Sequence, residues 1–430
     1  MLQSKIKSLF TDKIFQEFFR GSILSVIATF IIGVASYLVR RIMADSLSID
    51  NYAAFYGIFA FFSLLVILFR FGTAEVLLFT IPDLRNRMNE NVARKMFSTI
   101  CNFNFIIFFI LIILLECITP WLQRTYFPKI APWYLYAFLP FLMLSSLESI
   151  VTNMFNALKA FGYMNGVQVL KTIMILTGLF FILNKYQLPG AIAVFNISIF
   201  LMLLISFIVL KEKFSYGLSR KIDFSTARSI LKPCSWLFLL SLGGVALNEL
   251  GTIFLVIFNS TTEVALFNIA VPIAMIIKSL YCIPLVFIPF VADMQSKGEG
   301  KKIKKYINTI AFFVLAIGIL MIPFFLIWGE VTVSLLFGEK FVSAKWSVFF
   351  LSEAMIVSII AQFNINTLNS IRCEHVSAII TSAVTVVAIL LYLTLSGPYG
   401  AAGTAVGALI AGTIWSFASY IALRCRLQSS

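Results

Sequence analysis

Gln187-Leu188-Pro189-Gly190-Ala191-Ile192-Ala193 lies against Gly397-Pro398-Tyr399-Gly400-Ala401-Ala402-Gly403, so that Gly190 falls on Gly400 and Ala191 on Ala401. Outward from these stretches nearly the same spacing returns. Tyr52-Ala53-Ala54-Phe55 matches Val264-Ala265-Leu266-Phe267 at 212 residues, and Lys95 to Ile100 (KMFSTI) matches Lys305 to Ile310 (KYINTI) at 210. Gly, Ala and Phe are common in this chain, so one match says little. Three in chain order describe two copies of one hydrophobic unit, and duplicated membrane units commonly build a transporter with its site between the halves.

Hydrophobic residues make up 60% of the 430 residues, charged residues 12%, and mean hydropathy is +0.97. A soluble domain carries roughly 25% charged residues. Apolar runs long enough to cross a core of about 30 Å recur throughout. They predict an all-α polytopic membrane protein with twelve spans: 21–42, 53–81, 97–119, 133–155, 166–184 and 190–210, then 234–258, 265–292, 307–328, 347–369, 377–396 and 402–423. Six spans per half is an even number, so both halves enter from the same side. The repeats are therefore parallel, around a central cavity.

The expected organisation is an amphipathic segment at 1–20, an N-lobe at 21–210, a basic linker at 211–233 and a C-lobe with a short tail at 234–430. Residues 1–20 intersperse charges among Ile6, Phe10, Ile14 and Phe18, which suits a helix lying in the headgroup region and not a cleaved signal peptide. The formal net charge of +14 is topological. With the N-terminus inside, inside segments hold 23 Lys or Arg and outside loops seven, among them Arg40, Arg41 and Lys340. The positive-inside rule then puts both termini in the cytoplasm.

Soluble-style catalysis finds no footing: there is no Gly-rich phosphate loop or nucleophile elbow, and the one histidine, His375, stands outside the spans. Cys373 and His375 are too few to hold a metal, and the six cysteines follow no disulfide spacing. No metal or cofactor is expected. The longest outside loop, 329–346, is too short for an extracytoplasmic catalytic domain.

Ionisable groups at depth carry the functional expectation, because each costs about 2.5–3.5 kcal/mol unless paired or hydrated. Lys278 in span eight and Arg70 in span two are candidate cationic linings of the cavity, joined by Lys171 and by Asn153, Asn248, Asn268, Asn364 and Asn366. The competing reading pairs each cation with a buried carboxylate, Lys278 with Glu249 for example; for Lys171, near a span end, snorkelling also serves. Glu249, Glu75 and Glu148 are candidate charge partners, and Glu249 could bind a coupling proton or sodium ion. Pro272, Pro284 and Pro289 should interrupt the hydrogen-bond ladder of span eight.

The run Arg41-Ile42-Met43-Ala44-Asp45-Ser46-Leu47-Ser48-Ile49-Asp50-Asn51-Tyr52-Ala53-Ala54-Phe55-Tyr56 resembles the start of polysaccharide-exporter proteins, including O-antigen flippases. Ser260 to Ala270, Leu336 to Phe341 and Gly397 to Gly403 resemble the same family. The resemblance implies a two-lobed fold shared with multidrug extruders, in a bacterial cytoplasmic membrane. It implies as substrate a polyprenyl-pyrophosphate-linked oligosaccharide, moved to the periplasmic leaflet for O-antigen or a similar surface polysaccharide, alone or beside other assembly proteins. The alternatives are a multidrug or organic-cation antiporter of the same fold and a membrane glycan polymerase. Span one has no acidic residue of the kind the multidrug branch relies on, which counts against the antiporter.

Overall fold

The computed structural model describes residues 13–86, 88–125, 131–219, 224–278, 300–371 and 373–428. Its long apolar runs form helices because, away from water, a helix satisfies every backbone group within one segment. In chain order they are α1 (Lys13–Ser46), α2 (Ile49–Arg70), α3 (Thr73–Asn86), α4 (Glu90–Thr125), α5 (Pro132–Ala157) and α6 (Phe161–Phe214). The second half has α7 (Phe224–Phe258), α8 (Thr261–Lys278), α9 (Gly300–Phe337), a 3-10 turn (Glu339–Ala344), α10 (Lys345–Ser370) and α11 (Glu374–Gln428).

The two halves repeat element by element. Ser48 caps α2 by accepting the Asn51 N–H at 3.2 Å, and Ser260, 212 residues on, accepts the Glu263 N–H at 3.4 Å at the start of α8. α5 and α10 begin and end 213 residues apart. Their C-terminal turns close alike, Ala160 N–H onto Phe155 O at 2.8 Å and Cys373 N–H onto Leu368 O at 2.9 Å. α6 and α11 are each two spans joined at a kink, with Gln187 at φ 48°, ψ −135° and Gly400 at φ 55°, ψ −139°.

These kinks correct the pairing of Gly190 with Gly400. A Cβ on Gly190 would press on Tyr186 and Ile182, four and eight residues back, and one on Gly403 would press on Tyr399 and Leu395, at the same two spacings. The equivalent residues are thus Gly190 and Gly403, and the kink residues are Gln187 and Gly400. Matching glycine to glycine misleads by three residues because the first half puts glutamine where the second has glycine. A side chain held there is strained by about 1–3 kcal/mol. Gln187→Gly should therefore raise the melting temperature, by a net of about 1 kcal/mol after the looser unfolded chain is counted; an unchanged or lower transition would remove the strain argument.

Several boundaries differ from expectation. Residues 1–12 lie outside the described residues, and from Lys13 the chain is already helical into span one. The polar linker narrows to 215–223, of which 220–223 are outside the described residues. Its Ser219 is tied to α4: its N–H donates to Ser98 Oγ at 2.6 Å, and its carbonyl accepts from Asn102 Nδ2 at 2.5 Å. The expected loop at 329–346 is mostly the end of α9 and the 3-10 turn. Gly243 packs against Thr381 and Thr385 of α11 in an unbroken α7.

Burial sorts the spans. The α2 segment is 67% buried inside the protein and the α9 segment 12%, so α2 is central and α9 faces the surrounding medium. Between lobes, α2 runs beside α7 and α8, and α1 meets α8. Phenylalanine is core as well as surface: Phe55 meets Phe138 at 5.7 Å and Phe195 at 5.0 Å. The turns after spans one, seven, nine and eleven gather at one end of the bundle, here the odd end. The turn after span two and the starts of spans three and seven gather at the other, the even end.

Candidate functional site

Where α2 stops, Phe71 adopts φ 42° and Gly72 φ 72°, and the chain breaks before α3. Gly72 lies so close to the Cys234 carbonyl of α7 that a side chain there would overlap it. The break places Arg70, the last residue of α2, beside Glu75 of α3, and the two form an ion pair with side chains only 12% and 17% exposed. Thr73 Oγ1 donates to the Arg70 carbonyl at 2.7 Å, closing the turn. Arg70 Nε is buried without a partner.

Arg70 and Ile67 form the N-lobe side of a cavity of about 490 Å³. Its other walls come from the C-lobe: Ser241 and Asn248 of α7, Phe267 and Val271 of α8, Ser358, Gln362, Asn366 and Asn369 of α10, and Thr381, Tyr392 and Trp415 of α11. Among the described residues, Arg70 is the one charged lining residue. Amides, hydroxyls and aromatic rings supply the rest, in a volume that suits a sizeable organic ligand.

The other expected site residues spread over several places. Asn248 lines the cavity while its amide donates to Gly244 O at 2.8 Å within α7. Lys171 and Glu148 form an ion pair between α6 and α5, and Gln168 Nε2 donates to the same carboxylate at 3.0 Å. This is an N-lobe cluster away from the cavity lining. Asn153 is half-buried on α5, and Asn364 is buried with its amide on Ser419 Oγ at 3.2 Å. Neither lines the cavity. The side chain of Lys278 lies outside the described residues, as do Pro284 and Pro289. Glu249 is partly exposed on α7, and the cation acting on it is Arg40.

Arg40 was counted with the outside loops; it stands instead within α1, between the lobes. Its guanidinium lies 4.4 Å from the centre of the Tyr56 ring and donates to the Asn268 carbonyl of α8 at 2.7 Å. The reason is Pro272. A helical carbonyl bonds the N–H four residues on, and proline has none, so Asn268 O is left without its helical partner. The Asn268 side chain turns back onto Val264 O at 2.9 Å and leaves its own carbonyl to Arg40.

Two further bonds between lobes at the odd end follow the same logic. Tyr37 Oη donates to Leu336 O at 3.0 Å, and Lys340 Nζ donates to Ala44 O. Both acceptors lie in the last turn of a helix, where carbonyls have no partner within the helix. Thr261 Oγ1 adds a bond to Asp50 at 2.5 Å. The lobes thus fasten to each other at this end through side chains reaching unused backbone carbonyls. The sequence holds a signal for Arg40: a proline four residues after a buried carbonyl demands a donor.

Comparison with known proteins places this arrangement. A family model described as polysaccharide biosynthesis protein matches residues 18–295, well over half of the chain. The chain belongs to that family. Structures similar to this polysaccharide biosynthesis family member include the lipid II flippase MurJ in an inward closed conformation, at TM-score 0.77 and 16% identity over 94% of this chain and 87% of that one. They also include an inward-facing multidrug resistance MATE family transporter of the MOP superfamily, at TM-score 0.74 and 14% identity over 95% and 98%. A MOP superfamily transporter from Pyrococcus furiosus, described by the reversed polarity of its binding pocket, gives TM-score 0.65 and 14% identity over 95% and 96%. At such identities these likenesses show the fold. An uncharacterized membrane protein of Methanocaldococcus jannaschii is 20% identical over 82% of this chain and 73% of its own length.

Proposed function

We propose that this protein is a flippase for a polyprenyl-pyrophosphate-linked oligosaccharide, moving it from the cytoplasmic to the opposite leaflet of a bacterial inner membrane by alternating access. The observation that carries this reading is the cavity chemistry. One arginine stands at the edge of a wall of amides, hydroxyls and aromatic rings, and no carboxylate lines the cavity among the described residues. A pyrophosphate in an apolar core is costly unless hydrogen-bonded and paired, and a guanidinium with five donors answers it. Arg70 can keep Glu75 on one edge and offer Nε on another. The lipid tail stays in the bilayer while the headgroup crosses.

The even end faces the cytoplasm in this reading, because the 23 Lys and Arg of the expected inside segments gather there. Lys278 is a second cation for the pyrophosphate. Glu249, acted on by Arg40 between the lobes, is a site for a coupling proton or sodium ion. A multidrug antiporter of the same fold needs an anionic cavity for its cations, which this lining does not offer.

Proteoliposomes containing the purified protein and a lipid-linked oligosaccharide test the reading. The flippase should make the inner-leaflet pool accessible to an external glycosidase far faster than protein-free vesicles do. No acceleration with any coupling gradient, together with uptake of organic cations, would transfer the protein to the antiporter class.

A further inference from the structure

Thirteen buried side-chain nitrogen or oxygen atoms among the described residues have no hydrogen-bond partner, and four belong to residues lining the cavity: Arg70 Nε, Asn369 Oδ1, Thr381 Oγ1 and Trp415 Nε1. An unpartnered buried polar atom costs about 1–3 kcal/mol, so such atoms are rare in native proteins, and a cluster around one cavity calls for an occupant. Three of the four lie on α10 and α11, in the C-lobe. They offer an N–H donor, an acceptor carbonyl and a hydroxyl that can do either.

The C-lobe wall holds no charge among the described residues, and the single cation opposite is already ion-paired with Glu75. It is therefore built for a neutral group rich in hydroxyls and not for a phosphate. Gly244 faces open space on the same lining, so a ring can approach the α7 backbone closely.

We propose that Asn369, Thr381 and Trp415 form a subsite for a neutral sugar ring of the cargo, and that this wall, not the cationic edge, selects which oligosaccharide is carried. The inference rests on the flippase reading above and names the part of the cavity that reads the sugar.

The test uses the full chain in detergent, with Thr381→Val and Trp415→Phe, which delete one polar atom each and keep the bulk of the side chain. The probe is the oligosaccharide released by mild acid from the surface polysaccharide of the source cells, with inorganic pyrophosphate as control. Without probe, each variant should melt at or above the wild-type temperature, because an unsatisfied group has been removed. The oligosaccharide should raise the wild-type melting temperature. Half-saturation should shift about tenfold in each variant, the loss of one hydrogen bond.

Variants that melt lower without probe would show these atoms satisfied within the protein and would overturn the subsite. So would a wild type that the oligosaccharide does not stabilise, or variants that it stabilises equally. The two readings fail separately. Flipping in proteoliposomes with undiminished sugar binding in both variants sinks the subsite alone, whereas sugar binding lost in the variants with no flipping by the wild type sinks the flippase alone.

Discussion

Arg70→Gln should lower the amount of folded protein and its transport together, and adding Glu75→Gln should restore the first and not the second. The wild-type pair is largely buried at the α2–α3 break. Removing one member strands the other charge in a poorly solvated place, at about 3–5 kcal/mol, whereas removing both is often close to neutral. The single substitution therefore cannot distinguish structural pairing from substrate binding; the double one can. Membrane abundance and flipping rate, measured on both variants, decide it. Normal transport in the double variant would make the pair structural only and leave Lys278 as the remaining candidate cation for the pyrophosphate.

The second large effect belongs to Arg40. Arg40→Met removes a charged hydrogen bond to the Asn268 carbonyl, worth about 1.5–3 kcal/mol. Alternating access requires the lobes to part at the odd end, so this bond must break in every cycle along with those at Tyr37, Lys340 and Thr261. Losing it should shift the balance toward the odd-end-open state by about tenfold to a hundredfold. The readout is labelling of Val271→Cys, a cavity-lining position, by a membrane-impermeant maleimide added on the odd side, in a background without native cysteines. Pro272→Ala should act in the same direction without removing any charge, since it returns to Asn268 O the N–H it lacks. Unchanged labelling in both variants would show that the contact does not hold the lobes.

The reason the two ends behave differently is visible in the chain. At the even end, Gly72 and the Cys234 backbone make a close contact without side chains, and Phe71 stacks on Phe238 at 4.7 Å. At the odd end the bonds run from long side chains to carbonyls left over at helix ends and before a proline. Such bonds re-form with water when the lobes separate, which suits a contact that must open and close.

Much of the fold was legible in the sequence because hydropathy and repetition act over many residues. The spans fell where apolar runs fell, and the matches at Tyr52 and Val264 were in register with the structure, as their serine caps show. The kink was misread because its signal was a glycine that only one half has. Hydropathy alone could not say that α2 is central and α9 peripheral, since both are apolar throughout; only packing between lobes separates them.

The site was less legible. Charged residues at depth pointed to Arg70, which does line the cavity, and equally to Lys171, which is paired with Glu148 within the N-lobe. Arg40 sits near a span end, where a count of loop charges takes it for topology. Trp415 and Thr381 were hidden for another reason: indole and hydroxyl groups are ordinary in membrane helices, and only the three-dimensional lining shows that theirs lack partners.

The most direct test of the central claim is the sidedness of lipid-linked oligosaccharide in source cells lacking this protein. In spheroplasts, an external glycosidase should fail to reach an accumulated lipid-linked pool, and surface polysaccharide should be lost, both restored by the wild-type gene. A pool fully accessible from outside, with normal surface polysaccharide, would contradict the account.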